Sequence, residues 1–108
     1  MKNTLDEVPI LLLDDPMELI EAELFTDAGN DAVVRLPPRR FPGVLIQGDS
    51  LSIIRGDVAE IVEACAQGEV DDAHEAATIL LANLDELLAR YESALEAHGI
   101  ERPYAPRA

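Results

Sequence analysis

Four polar side chains crowd one short stretch, Asp71, Asp72, His74 and Glu75. Two carboxylates and an imidazole at a helix start can grip a cation weakly, but no second His or Cys stands at ligand spacing. Their simpler role is to complement the positive end of a helix dipole, so no metal site is expected. The single cysteine, Cys65, falls on an apolar stripe and reads as a buried small hydrophobe rather than a reactive thiol. His98 stands at a helix end beside Gly99, where an imidazolium favours the terminal carbonyls. The third group of chemical interest is cationic. Arg35, Arg39, Arg40 and Arg55 fall within residues 34–55 against Asp49 alone, a local +3 in a chain of net charge −14. Guanidinium forks form bidentate pairs with carboxylates or planar anions, so internal pairing that softens self-repulsion is one role for them. The other is recognition, because Arg39-Arg40-Phe41 has the composition of an interface hot spot. No P-loop, dinucleotide fingerprint or paired CxxC occurs, and no cofactor is expected.

Val44-Leu45-Ile46-Gln47 runs into Gly48-Asp49-Ser50-Leu51, a short apolar strand leading to a helix start. This block is similar to the nucleophile block of the GDSL, or SGNH, esterase family. The resemblance implies Ser50 as nucleophile, His74 as base and Asp71, three residues before it, as orienter; Gly29-Asn30-Asp31 echoes the family's asparagine block. Three departures count against it. The asparagine string precedes the serine, reversing the family order, and lacks that block's spacer residue. Ser50 and His74 are only 24 positions apart, with no parallel strands between them. A chain of 108 residues also cannot hold that family's multilayered α/β sheet. Ser50 is better explained as a helix cap, and no catalysis is expected.

These residues must be positioned by short elements. Ile20, Ala22 and Leu24 alternate with Glu21 and Glu23, the period-2 pattern of a half-buried strand. Ala28-Gly29-Asn30-Asp31 supplies a turn, after which Ala32, Val34 and Leu36 alternate with Val33 and Arg35 to complete a hairpin. Pro37, Pro38 and Pro42 exclude helix from the next stretch, and Val44–Gln47 is a third strand. Leu51, Ile54, Val58, Ile61 and Cys65 step by threes and fours, which predicts a helix over 50–67 that ends at Gly68. A second helix starts at Asp71 or Asp72 and stops at Gly99. The fold class is therefore α+β: a small three-stranded antiparallel sheet in β-β-β-α-α order, covered by two helices, the second long. Residues 1–16 read as an N-terminal arm, 17–99 as a single domain and 100–108 as a flexible tail.

Twenty-two acidic residues against eight basic ones leave no wide cationic face, so nucleic acid and an anionic membrane surface are not expected partners. No apolar run reaches the ~18 residues of a spanning helix, and the opening MKNTLDEV lacks the pattern of a signal peptide. One cysteine fits a reducing compartment, and the expected location is cytoplasmic.

The second helix would be about 40 Å long, overhanging a body whose expected radius of gyration is ~13 Å. Its apolar face is also wide. Ala77, Leu80, Leu84, Leu87, Tyr91 and Ala94 form a seam that Leu81, Leu88 and Leu95 broaden. Self-association through Leu81, Leu84, Leu88, Tyr91 and Leu95 as a C2 homodimer is the expected remedy. The alternative is a helix interrupted near Asn83 and folded back on itself.

The segment AVVRLPPRRFPGVLIQGDSLSIIRGDVAEIVE resembles the hallmark of a family of short, uncharacterised bacterial domains marked by an RRFPGVLIQGDSL-type stretch, over about residues 17–66. The resemblance implies a stand-alone bacterial protein without assigned chemistry. Small acidic bacterial proteins of this kind are often found among the immunity proteins of polymorphic toxin systems, and the resemblance implies that association. The leading expectation is a non-catalytic acidic binding protein, most specifically an immunity-type protein that occludes a basic toxin domain. Its anchors would be Arg39, Arg40 and Phe41, with Arg35 and Arg55 nearby in sequence, and its acidic helix faces would steer the basic partner. The alternatives are a small dimeric anion-binding sensor domain and a Ser50-dependent esterase.

Overall fold

The computed structural model describes residues 17–105, so the expected arm at 1–16 lies outside the described residues. Three very short strands, β1 (Glu23–Leu24), β2 (Val33–Arg35) and β3 (Gly43–Val44), form an antiparallel sheet in the order β1-β2-β3. Two helices follow, α1 (Gly48–Ala66) and α2 (Val70–Ala97), so the expected α+β class and element order hold. Glu23 pairs with Arg35 across the first ladder and Val33 with Val44 across the second. The hairpin reverses through Asn30-Asp31, where Asp31 takes φ +57°, a left-handed conformation that a short polar side chain tolerates.

The helix ends follow from glycine chemistry. Gly68 (φ +74°) and Gly99 (φ +68°) adopt the left-handed conformation. Behind Gly68, the Glu69 N–H donates to Ala64 and the Gly68 N–H to Cys65; behind Gly99, Ile100 donates to Leu95 and Gly99 to Glu96. Both are Schellman closures, which satisfy orphan carbonyls that a Cβ at the glycine would disfavour. The second closure also drives Ile100 against the core. At its start α1 departs from expectation. Gln47 is the cap residue, with no side-chain cap bond, and the helix begins two residues before Ser50. Asp49 supplies the first-turn carboxylate and accepts the Ser50 N–H at 2.8 Å. Ser50 is therefore a first-turn helical residue and not the cap.

The long helix α2 is continuous through Asn83 and acts as the spine of the molecule. Its first half packs on α1 through small residues, with Ala64 and Ala73 buried and Ile54, Ile61, Ala76, Ala77 and Leu80 half-buried. Its last turns carry the sheet: Tyr91, Ala94 and Leu95 bury against Val33, with Phe25, Val44, Leu88 and Ile100 around them. At ~25 cal/mol per Å² of apolar area, burying a side chain such as Leu95 contributes about 2–3 kcal/mol.

The expected inward residues hold only in part: Ala32 is buried and Ile54 and Ile61 are covered, but their neighbours in each pattern are not. On β2 it is Val33, fully buried, that meets α2, while Leu36 is 48% exposed; Ile20 and Leu24 are about as open. Strands of two or three residues are too short to enforce alternation beyond their ladder, and a slip of one position exchanges the faces. On α1 the covered row is Ile54, Asp57, Ile61 and Ala64, and Leu51, Val58 and Cys65 are exposed. The core is thin. The radius of gyration is 19.2 Å, against ~13 Å for a compact domain of this length. Among the described residues, no helix is long and apolar enough to cross a membrane.

Candidate binding surfaces

The arginine segment begins at the end of β2. Arg35 is fully used by the fold: its Nε donates to Glu23 Oε1 at 2.6 Å, its Nη1 donates to the Arg40 carbonyl at 3.1 Å, and its guanidinium lies 5.4 Å from the Phe25 ring. That hydrogen bond holds the Glu23 carboxyl below its ordinary range and raises Arg35 further. The Arg39 N–H closes a turn onto the Leu36 carbonyl at 2.8 Å, across a cis Pro37–Pro38 bond. Arg39 and Arg40 are thereby held at an exposed corner, with the Arg40 guanidinium 4.9 Å from the Phe41 ring, itself half-buried. The sequence cluster thus divides. Arg39, Arg40 and Phe41 share one exposed corner, Arg35 braces it from beneath, and Arg55 stands apart on the exposed side of α1.

Downstream of that corner the chain dips into the body. Pro42 is buried, and its carbonyl accepts the Tyr91 hydroxyl at 2.6 Å. Pro42, Val44 and Ile46 face Leu84, Leu87 and Tyr104 across an open, almost wholly apolar hollow of about 470 Å³. Tyr104 closes one side of it. Its hydroxyl donates to Glu92 Oε2 at 2.7 Å, and Arg102 pairs with the same carboxylate at 3.5 Å. Burial and this hydrogen bond push the Tyr104 hydroxyl up to about 12.

A second surface lies near the hairpin turn. Glu60 and Glu63 of α1, Glu69 of the connection, and Asp72 and Glu75 of α2 line one open cleft of about 490 Å³, together with Ile79. The connection places them together, since Gln67–Glu69 returns the chain antiparallel and brings Ala64 beside the first turns of α2. Of the residues weighed as cation ligands, Asp72 and Glu75 reach this cleft and Asp71 and His74 do not line it. Among the described residues, no group of three or more His, Cys, Asp or Glu side chains could hold a metal ion.

The serine and histidine of the esterase reading are not brought together. Ser50 lies 16 residues before the end of α1 and His74 four residues into α2. At ~1.5 Å per residue they stand about 18 Å apart along the hairpin. Cys65 is exposed, a correction to the buried position expected of it. His98 is placed as its sequence position implies. Its Nδ1 donates to the Ala94 carbonyl at 2.9 Å, and its ring meets Phe25 edge-on at 4.7 Å.

The row expected to pair two copies also divides. Tyr91 and Leu95 are buried against this chain's own sheet and cannot face a partner; Leu88 packs beside them, and Leu81 and Leu84 remain exposed. What the sequence reading missed are the long-range polar ties: Tyr91 to Pro42, Arg90 Nη2 to the Asn30 carbonyl at 3.0 Å, and Tyr104 to Glu92. Each joins residues with no periodic or motif relation, so only the pairing of an amphipathic Tyr with a helix face hinted at them. No curated protein and no solved structure matches the chain. Residues 17–104 match DUF6959, a family of unknown function, and the chain belongs to that family.

Proposed function

We propose that this is a non-catalytic acidic binding protein of the bacterial cytoplasm that docks on a basic protein surface, most specifically an immunity-type protein that occludes a basic toxin domain. The observation that carries this reading is the cleft in which Glu60, Glu63, Glu69, Asp72 and Glu75 converge from both helices and their connection, with no basic side chain among its lining residues. A single-sign cleft focuses the potential and speeds encounter with an oppositely charged partner. Arg39 and Arg40, exposed beside Phe41, supply the anchor that slows release once the partner is seated.

Capture from lysate of the native organism tests this, using the full chain, a Glu60→Gln/Glu63→Gln/Asp72→Asn variant and an Arg39→Ala/Arg40→Ala variant at two salt concentrations. The expected result is one stoichiometric basic protein whose association slows with salt and with loss of the carboxylates, and which dissociates faster from the arginine variant. A partner indifferent to both variants, or none, rejects the reading. An anion-sensor reading rests on the two adjacent exposed arginines. It requires phosphate at millimolar concentration to raise the melting temperature of the wild type and not of the arginine variant.

A further inference from the structure

We infer that the helical hairpin has a second working face, opposite the acidic cleft, and that this face pairs with a second copy of the chain. The inference stands independently of the basic-partner reading.

The cleft residues fix the geometry. Glu60 on α1, and Asp72 and Ile79 on α2, all line the same side of the hairpin. Side chains two positions apart on a helix point about 200° apart, that is, to opposite sides. Val58 stands two before Glu60, Val70 two before Asp72 and Leu81 two after Ile79. Val58, Val70 and Leu81 therefore share the side away from the cleft. Steps of three, four and seven extend each row: Leu51, Val58, Val62 and Cys65 along α1, and Val70, Ala77, Leu81, Leu84 and Leu88 along α2. Arg55 on α1 and His74 and Asp85 on α2 fall at the same steps and edge these rows with polar and charged side chains. In a chain with 22 carboxylates, the centre of this face is nevertheless aliphatic.

Leu51, Val58, Val62, Val70, Leu81 and Leu84 are between 41% and 73% exposed. Six aliphatic side chains at about half exposure make a patch of about 500 Å², near the upper limit for the surface of a monomer. With Cys65 and a polar rim it approaches the ~800 Å² per partner of a stable interface.

Two observations select a second copy as the occupant. An aliphatic centre edged by charge, as Leu51, Val58, Val62, Val70 and Leu81 form between Arg55 and Asp85, is the composition of homodimer interfaces. Among the described residues the chain covers only the Leu88 end of the face, where the sheet packs, and leaves Leu51, Val58, Val62, Val70 and Leu81 exposed. Charge is the remaining objection, because two chains of −14 repel. Face-to-face pairing answers it: the two acidic clefts turn outward on opposite sides of a four-helix layer. Two helix diameters, ~20 Å, then separate them, beyond the ~8 Å Debye length at physiological salt. The interface differs from the α2 seam read from sequence, since Tyr91 and Leu95 leave it and Leu51, Val58 and Val62 of α1 enter it.

Light scattering on the full chain during gel filtration is the test. The expected mass is twice the 11.7 kDa of one chain. Val58→Asp and Leu81→Asp should each halve it with the helical circular dichroism intact, and Ile79→Asp, on the acidic side, should leave it unchanged. If either aspartate variant loses its helical signal, Val58→Ala/Leu81→Ala should instead weaken the dimer at least tenfold by sedimentation. A monomeric wild type, a dimer that survives these changes, or a dimer lost on Ile79→Asp overturns the proposal.

Discussion

The Tyr91 hydroxyl donates a 2.6 Å hydrogen bond to the carbonyl of Pro42, 49 residues earlier in the chain. It ties the spine helix to the proline-arginine segment, at a place where the phenol ring is buried and the carbonyl has no ladder partner to return to. Removing only the hydroxyl leaves that carbonyl unsatisfied. Tyr91→Phe should therefore cost about 1–2 kcal/mol in urea unfolding, with the slope of the transition unchanged. A cost near zero would mean that water replaces the hydroxyl freely and that the corner is not held from beneath.

The sheet register can be read by two truncations. Leu95 is 1% exposed and meets Val33, so Leu95→Ala should cost about 2–5 kcal/mol. Leu36, inward by sequence alternation but 48% exposed, should cost no more than about 0.5 kcal/mol when cut to alanine. Equal losses at the two positions would contradict the observed register.

Alkaline pH reports on the C-terminal segment. The Tyr104 hydroxyl ionises at about 12 in the folded chain, through burial and its bond to Glu92, against 10.0 ordinarily. Between these values the folded protein keeps a proton that the unfolded chain has lost. Its contribution is complete below pH 10 and is lost as pH rises toward 12. Burial raises Tyr91 as well, with the same sign. The melting temperature should fall across this window, and Tyr104→Phe should flatten the fall. Superimposable profiles would show that Tyr104 does not hold the segment to α2.

The arginines should separate by role. Arg35→Ala removes an ion pair, a bond to the Arg40 carbonyl and a cation–π contact at once, so it should lower the melting temperature measurably. Arg39→Ala/Arg40→Ala touches only exposed side chains and should change stability by about 0.5 kcal/mol or less. If the double variant unfolds, the corner is structural and loses its standing as an anchor.

Element order, the two helix ends and the uninterrupted length of α2 were legible in the sequence because each is decided locally. Apolar steps of three and four set the helices, and Gly68 and Gly99 supply the left-handed residue that closes them. The Arg39-Arg40-Phe41 corner was legible as composition. What the tertiary structure alone decided is which side of each pattern is used. The apolar stripe of α1 is wide enough to offer two flanks, and the position of α2 covers Ile54 and Ile61 while leaving Leu51, Val58 and Cys65 outside. The sheet is too short for alternation to choose its face, so docking on Tyr91 and Leu95 chose Val33. The acidic cleft joins carboxylates from helices that only the turn at Gln67–Glu69 sets side by side. Periodicity is a property of one element, whereas burial is a property of two, and the second element's position is absent from the first one's sequence.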